Sequence, residues 1–260
     1  MTHSRTRPAA GQVWNPEDYI GKAGFVAELG RGVLDLLAPR PDEHILDLGC
    51  GDGALTQRIA AASAVVTGLE PSAELAAVAR QRGLRVIEGD AHDPFGQVQY
   101  DAIFSNAMFH WLRDPQQVIR NAFAALRPGG RLVVEQGGFG NVAAVTTALR
   151  AAMEAAGCAD QARNPWDFPS PTTQRKRLET AGFQVEEIIL FSRPTPLEAG
   201  MRGWLDTFAG AFLQDLPGDV QHVIKTDTER RLTSSLLDPE EGWIADYVRL
   251  RFHAVRPADG

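Results

Sequence analysis

The side chains most able to do chemistry crowd into one stretch, Leu46-Asp47-Leu48-Gly49-Cys50-Gly51-Asp52-Gly53-Ala54-Leu55. A short apolar run, HILDL over His44–Leu48, enters this glycine cluster and a helical pattern leaves it. Gly-x-Gly at such a junction lets the backbone turn tightly and approach a ligand with no Cβ between them. Read as Gly49-x-Gly51-x-x-Ala54, the turn meets the dinucleotide fingerprint, with Glu70 standing about 20 residues on, where a ribose-binding acid belongs. Taken alone, the turn fits a nicotinamide dinucleotide and a sulfonium nucleoside equally well. Glu70 does not separate them either, since both ligands offer a ribose diol.

Charge does separate them. Asp47 sits two residues before the first glycine, and Asp52 adds a second carboxylate to the same turn. A diphosphate is repelled by such a site, whereas a sulfonium carrying an ammonium group is attracted. Gly89-Asp90-Ala91 follows the third predicted strand, where an acid can accept from an adenine amino group. A hydride-transferring enzyme is further expected to carry a Tyr-x-x-x-Lys pair or its equivalent. Tyr19 has Lys22 three residues on, and neither Tyr100 nor Tyr247 has a lysine at that spacing.

The elements that must position these groups follow from periodicity. Phe25, Leu29, Val33 and Leu36/Leu37 recur at helical spacing, and Pro39 and Pro41 end that helix. Strands are expected at 44–48, 64–69, 84–87, 100–105 and 131–135. The helices between them are expected at 54–62, 73–82 (N-capped by Ser72) and 116–126, the last stopped by Arg127-Pro128-Gly129-Gly130. Strands separated by helices of this length mean βαβ crossovers and a mostly parallel, doubly wound sheet. Later come an Ala-rich helix at 142–156, the loop NPWDFPSP, a helix at 172–181 and a strand at 183–191. Helical stretches at 197–213 and 220–237 precede WIADYVRLRFHAV (243–255), which alternates like one long final strand. The helical pair between two late strands is expected to sit outside the sheet as a cap.

Together the motifs DLGCGDGALT, GLEPS, GDAHDPF, YDAIFSNAMFHW and LRPGGRLVVE resemble those of class I S-adenosylmethionine-dependent methyltransferases. Within that superfamily the chain is similar to the trans-aconitate methyltransferase-like group, which combines an SNAxxxW segment with an element like Trp14-Asn15-Pro16-Glu17-Asp18-Tyr19. The resemblance is good from residue 14 to about 136 and thin beyond. It implies an α/β, Rossmann-like doubly wound sheet of seven mostly parallel strands, with an antiparallel last strand and a small helical cap. The domain plan is a flexible arm over 1–12 and a single methyltransferase domain over 13–260, the cap inserted at about 197–238.

The resemblance also implies roles. Asp47, Gly49, Cys50 and Gly51 would surround the methionine part of S-adenosyl-L-methionine. Glu70 would take the ribose hydroxyls, Pro71 flank the adenine, Asp90 take its amino group, and the Ala91 N–H meet a ring nitrogen. Asn106 would stand beside the methyl group. His110, four residues after Asn106 and thus on the same face of a helical turn, is the candidate catalytic residue, orienting a nucleophile or accepting its proton. His110, Trp111, Trp14 and Tyr19 are the candidate acceptor contacts. Plainer readings stand beside these: Gly53 serving helix packing, Asp90 capping a turn, His110 packed on Trp111, and Trp204, Phe208 and Phe212 forming core.

The expected activity is methylation of a small-molecule acceptor, on oxygen and conceivably on a carboxylate, by in-line displacement. The alternatives are a nicotinamide-dependent oxidoreductase and a non-catalytic S-adenosylmethionine-binding protein. A net charge of -7 argues against nucleic-acid partners, and no apolar run is long enough for a membrane span. With two cysteines and no His/Cys/carboxylate cluster, neither a disulfide framework nor a metal site is expected, and a cytoplasmic location is.

Overall fold

The computed structural model describes residues 31–62 and 64–258. Helix α1 (Arg31–Leu37) leads to β1 (His44–Leu48), and α2 (Ala54–Ala60) to β2 (Val65–Glu70). Next come α3 (Ala73–Gln81), β3 (Arg85–Glu88) and β4 (Tyr100–Asn106). A 3-10 turn at Phe109–Trp111 and α4 (Pro115–Ala125) lead to β5 (Leu126–Gly137). The caps follow local chemistry: Ser72 Oγ accepts from the Leu75 N–H, and Asp114 accepts from the Gln117 N–H ahead of Pro115.

These strands belong to a seven-stranded sheet completed by β6 (Gln184–Ser192) and β10 (Val248–Val255), in the order β3-β2-β1-β4-β5-β10-β6. Strands β1 to β5 pair in parallel, while β10 runs antiparallel to both β5 and β6. The expected α/β architecture with an antiparallel last strand is therefore present. Strand alternation sorts the core into two layers. On one face Leu46, Leu48, Ile103, Leu132 and Phe252 pack against Val118, Ile119 and Ala122 of α4. On the other, Ile45, Phe104 and Val133 meet Val33 and Leu37 of α1 and Leu55 and Ile59 of α2.

A third core lies outside the sheet. Helices α5 (Ala143–Ala155), α7 (Gly200–Phe208), α8 (Gly210–Leu213) and α9 (Gly218–Leu236) bury Leu149, Met153, Leu205, Leu213, Ile224 and Leu232 together with Trp166 and Trp204. Helix α6 (Pro171–Thr180) instead adds Leu178 to the sheet core.

Two boundaries differ from expectation. WIADYVRLRFHAV is not one strand. Its first part, β9 (Gly242–Ala245), pairs with β7 (Thr195–Pro196) and β8 (Leu237–Asp238) in a small separate sheet. The break falls at Asp246, whose carboxylate accepts from the Ala144 N–H at the start of α5, and only from Val248 does the chain join the main sheet. Alternation survives the break, so periodicity alone did not expose it. Likewise β5 starts at Leu126 rather than 131, because Leu126 pairs with Tyr100 before an irregularity restores register at Ala102 and Arg131.

Gly68, in β2, is where close packing needs a missing side chain: a Cβ there would lie 2.5 Å from Cys50 Sγ. Gly68→Ala is expected to cost about 1–3 kcal/mol in urea unfolding, with Cys50→Ala in the same chain recovering part of it. An unchanged midpoint would show that the turn relaxes freely.

Candidate functional site

In an open parallel sheet the strand carboxyl ends form the ligand-binding edge, and here a cavity of about 430 Å³ opens along it. It begins at the glycine turn, passes the ends of β2, β3 and β4, and continues under the cap to Trp204, Tyr247 and Arg249.

The first end is built by backbone tied to Glu70. Gly49 and Gly51 both have positive φ, 71° and 57°, a conformation that favours glycine. The Gly49 N–H donates to Leu69 O at 2.8 Å, stapling the turn to β2. Glu70 Oε2 accepts from the Gly51 N–H at 3.0 Å and Oε1 from the Ser72 N–H at 2.9 Å. Burial pushes the Glu70 carboxyl above its ordinary value, partly offset by these two donors. Pro71, Asp90, Ala91 and Asn106 line the same cavity. The loop carrying Asp90 and Ala91 is fixed by Asn121, whose amide donates to the carbonyls of Ala91, His92 and Asp93. Asp90 also turns back on its own loop: Oδ1 meets the His92 N–H at 2.9 Å and Nδ1 at 2.6 Å, so the capping reading is realised while the residue still faces the cavity.

Three expected site residues lie elsewhere. Asp47 is fully buried on the α2 side of β1, outside the cavity lining, where Thr56 Oγ1 donates to it at 2.7 Å. Its pKa is pushed up to about 7, chiefly by burial and further by the nearby Glu70 charge. Asp52 pairs with Arg82 at 2.6 Å. Cys50 is buried against Gly68, its thiol pushed upward by burial and by Asp47, and is neither a lining residue nor a nucleophile. The reasoning from charge is thus corrected in its residues. Among the described residues the acids that line the cavity are Glu70, Glu74, Glu88 and Asp90; no lysine or arginine shares the lining at that end, and Arg80 reaches Glu88 from outside it at 3.8 Å. Gly53 takes its plainer reading, since a Cβ there would strike Leu84 and Ala79. Trp14, Tyr19 and the arm over 1–12 lie outside the described residues.

The other end is aromatic. Trp111, Trp166, Phe168, Trp204, Phe208 and Tyr247 line it, with Trp166 stacked on Phe168 at 5.6 Å. Trp204 and Phe208 serve at once as cap core and cavity wall, while Phe212 packs behind Trp166. His110 is buried here, its ring 5.7 Å from Trp111 and 5.8 Å from Phe168. The Gly137 N–H donates to His110 Nδ1 at 3.2 Å, which leaves the ring proton on Nε2. Burial and the Arg249 charge hold its pKa well below 6.5, so the ring is neutral. Two non-glycine residues with positive φ, Ala107 (59°) and Val142 (45°), border the cavity, local backbone strain of the kind found at ligand sites. Sequence reasoning missed Asn141, Trp166, Phe168, Tyr247 and Arg249. Only Arg249 left a signal, as a charge in an otherwise apolar-alternating run.

Because Asp47 binds its proton more tightly folded than unfolded, stability is expected to fall as pH rises from about 4 to 7, by about 1.4 kcal/mol per unit of pKa difference. Asp47→Asn removes this slope in urea unfolding across that range. Parallel profiles for both proteins would show the buried carboxyl ionised at no cost.

Comparison with known proteins agrees with this geometry. A family model described as a methyltransferase domain matches residues 46–134, from β1 to β5. The chain is 35% identical over 254 residues to the uncharacterized methyltransferase C70.08c of Schizosaccharomyces pombe, covering 93% of this chain and 97% of that one. It is 34% identical over 127 residues to trans-aconitate 2-methyltransferase of Deinococcus radiodurans, spanning 47% of this chain and about half (48%) of that protein. Among solved structures it shares the fold of phosphoethanolamine N-methyltransferase 2 of Haemonchus contortus, solved with S-adenosylhomocysteine (TM-score 0.59, 16% identity, 98% of this chain and 59% of that one). The same holds for geranyl diphosphate C-methyltransferase of Streptomyces coelicolor (TM-score 0.53, 17% identity, 88% and 76%), also solved with S-adenosylhomocysteine. With its Glu70-clamped glycine turn and this sheet order, the chain belongs to the class I S-adenosylmethionine-dependent methyltransferases.

Proposed function

We propose that the protein methylates an oxygen of a small-molecule acceptor, and that this oxygen belongs to a carboxylate. The cofactor supplies a methyl group on a positively charged sulfur, already activated for displacement. The cavity residues fit it: Gly49 and Gly51 admit close backbone approach, and the carboxylates of Glu70 and Asp90 offer acceptors to ribose hydroxyls and an adenine amino group. Pro71 would flank the adenine, the Ala91 N–H would meet a ring nitrogen, and Asn106 of the same lining would stand beside the methyl group. Asp47 and Cys50 act on the turn only from behind.

The observation that carries the carboxylate reading is the protonation of His110. Its Nδ1 lone pair is used by the Gly137 N–H, so what His110 offers the cavity is an N–H donor. It orients an acceptor oxygen and does not remove a proton. At the aromatic end the other ionisable groups are Tyr247, whose hydroxyl is pushed upward by burial, and Arg249; neither is a base near neutral pH. An alcohol or phenol acceptor would have to lose a proton that no group there, among the described residues, is set to take. A carboxylate has none to lose: its oxygen forms the new C–O bond as the C–S bond breaks, the electron pair returns to sulfur, and a methyl ester and a neutral thioether result. Positioning is then the protein's main contribution, and orientation of this kind is worth about 7–11 kcal/mol.

The test is a panel of carboxylic acids, alcohols, phenols and amines, followed by S-adenosylhomocysteine release and mass detection of product. Methyl esters are expected, with a rate flat from pH 6 to 9; a rate that climbs with acceptor deprotonation, or products only from alcohols or amines, would overturn the carboxylate assignment. His110→Ala is expected to leave cofactor affinity within about twofold and to lower turnover 10- to 100-fold, the effect of losing one oriented donor. Loss of cofactor binding instead would place His110 at the wrong end. Glu70→Ala is expected to weaken cofactor binding by about 1.5–3 kcal/mol for each charge-assisted hydrogen bond removed, read by calorimetry. An unchanged dissociation constant would take Glu70 out of the ribose site.

A further inference from the structure

Arg249 is the side chain of the cavity that the methyl-transfer reading does not use. It stands at the start of β10, opposite Gly137 of β5, and is 6% exposed. Its Nε has no hydrogen-bond partner among the described residues, and the Tyr247 ring lies 4.6 Å below the guanidinium. The nearest carboxylate is Glu135, and that is already spent: Arg193 and Arg251 both donate to it, at 3.0 Å or less for every contact. Glu135 thus already serves two guanidinium groups before Arg249 is counted. A buried guanidinium in such surroundings costs several kcal/mol unless an anion meets it, and Arg249 lines the cavity.

The groups around it have matching character. Asn141 Oδ1 accepts from the Val248 N–H, so its Nδ2 is the donor side, and this nitrogen lies 2.8 Å from where a Gly137 Cβ would stand. His110, bonded to the same Gly137, offers Nε2–H. Tyr247 Oη accepts from Trp204 Nε1 at 2.6 Å, which locks the ring under Arg249. Arg249, Asn141 and His110 are thus donors grouped around Gly137, and all three line the cavity. The walls beyond them are Trp111, Trp166 and Phe168, flat and apolar.

From this grouping we infer that Arg249 is the specificity-determining anchor for the acceptor, and that the acceptor class is a monocarboxylic acid with a flat, unsaturated or aromatic body. This rests on the reading above and narrows it. Arg249 with Asn141 and His110 receives one carboxylate, and the aromatic walls receive the body by stacking. A second or third carboxylate would lie against tryptophan faces with no second cation, among the described residues, to meet it, so a polycarboxylate is selected against. The cap cations do not alter this: Arg202 pairs with Glu229, Lys225 with Asp206, and Arg230 and Arg231 with Asp227, all on the cap's own surface helices.

The experiment uses the full chain saturated with S-adenosylhomocysteine and follows quenching of the cavity tryptophans. Benzoate and trans-cinnamate are titrated beside cinnamamide, which keeps the body and loses the charge, and beside citrate. Cinnamate is expected to bind at least tenfold tighter than cinnamamide and citrate. Arg249→Met is expected to weaken cinnamate 10- to 100-fold, to leave cinnamamide within about twofold, and to leave S-adenosylhomocysteine affinity unchanged; Arg249→Lys, a point charge without the fork, recovers part of the loss. The cinnamamide and S-adenosylhomocysteine arms report that each variant is folded. Citrate binding as tightly as cinnamate, no acid binding at all, or cinnamate affinity indifferent to Arg249→Met would each overturn the anchor. Failure of the carboxylate reading has a different signature, methyl transfer to alcohols or amines in the product assay.

Discussion

The site depends on a single buried carboxylate bonded to two loops. Glu70 accepts from the Gly51 N–H with one oxygen and from the Ser72 N–H with the other, so the turn after β1 and the N-cap of α3 are held by one side chain. An ionised carboxylate has roughly four lone-pair positions, and two backbone donors leave capacity on each oxygen for a ligand. The geometry demands glycine where the chain passes closest, at Gly49 and Gly51. It also bears on the sign of the field: with Glu74, Glu88 and Asp90 on the same rim, a diphosphate would meet four carboxylates, of which Glu88 has an arginine beside it, Arg80 at 3.8 Å, among the described residues. The cationic ligand of the family is the one that this rim admits.

The opposite end of the cavity has the opposite character. Carboxylates gather where the sheet edge opens, and at the other end a guanidinium lies on the Tyr247 ring in a lining otherwise rich in aromatic side chains. Charges of unlike sign kept apart by an apolar layer retain their pull on ligands instead of neutralising each other as an ion pair. Transfer of a methyl group from a sulfonium to a carboxylate turns two ions into two neutral molecules. On the proposed reaction, the aromatic layer lies where that loss of charge takes place, and exclusion of water there stabilises neither reactant ion as bulk solvent would.

The sheet was legible because its determinants are local. HILDL, the Gly-x-Gly turn, Ser72 as a cap and the Asp114-Pro115 helix start each act within a few residues, and βαβ connectivity constrains the rest. The cavity lining was legible where it coincides with local turn chemistry, at Gly49, Gly51, Glu70 and Asp90, and where the family motifs run on from it, at Pro71, Ala91, Asn106, His110 and Trp111. Asp47 shows the limit. One strand position carries it away from the cavity to Thr56, and no spacing rule distinguishes a carboxylate in the ligand shell from one supporting the turn behind it. Its raised pKa is a tertiary property, set by burial and the neighbouring Glu70.

Beyond His110 and Trp111 the aromatic end was illegible for a different reason: it is assembled from segments up to more than a hundred residues apart. His110 and Gly137 meet Arg249 only because β10 inserts antiparallel between β5 and β6, placing Arg249 opposite Gly137. That insertion requires the chain to leave the small sheet first, and the departure at Asp246 is secured by the Ala144 N–H of α5 and by the Val142 N–H on the Asp246 carbonyl. Cap and sheet are therefore joined through residues 246–249, the same few that carry Tyr247 and Arg249. Asp246 bonds α5, and Trp204 of α7 bonds Tyr247, so both helices are coupled to the ring on which the guanidinium lies. The aromatic end of the cavity is thereby tied to the part of the molecule that lies beyond the methyltransferase-domain match, which ends at residue 134. Acceptor choice can diverge there while the Glu70 clamp stays as it is.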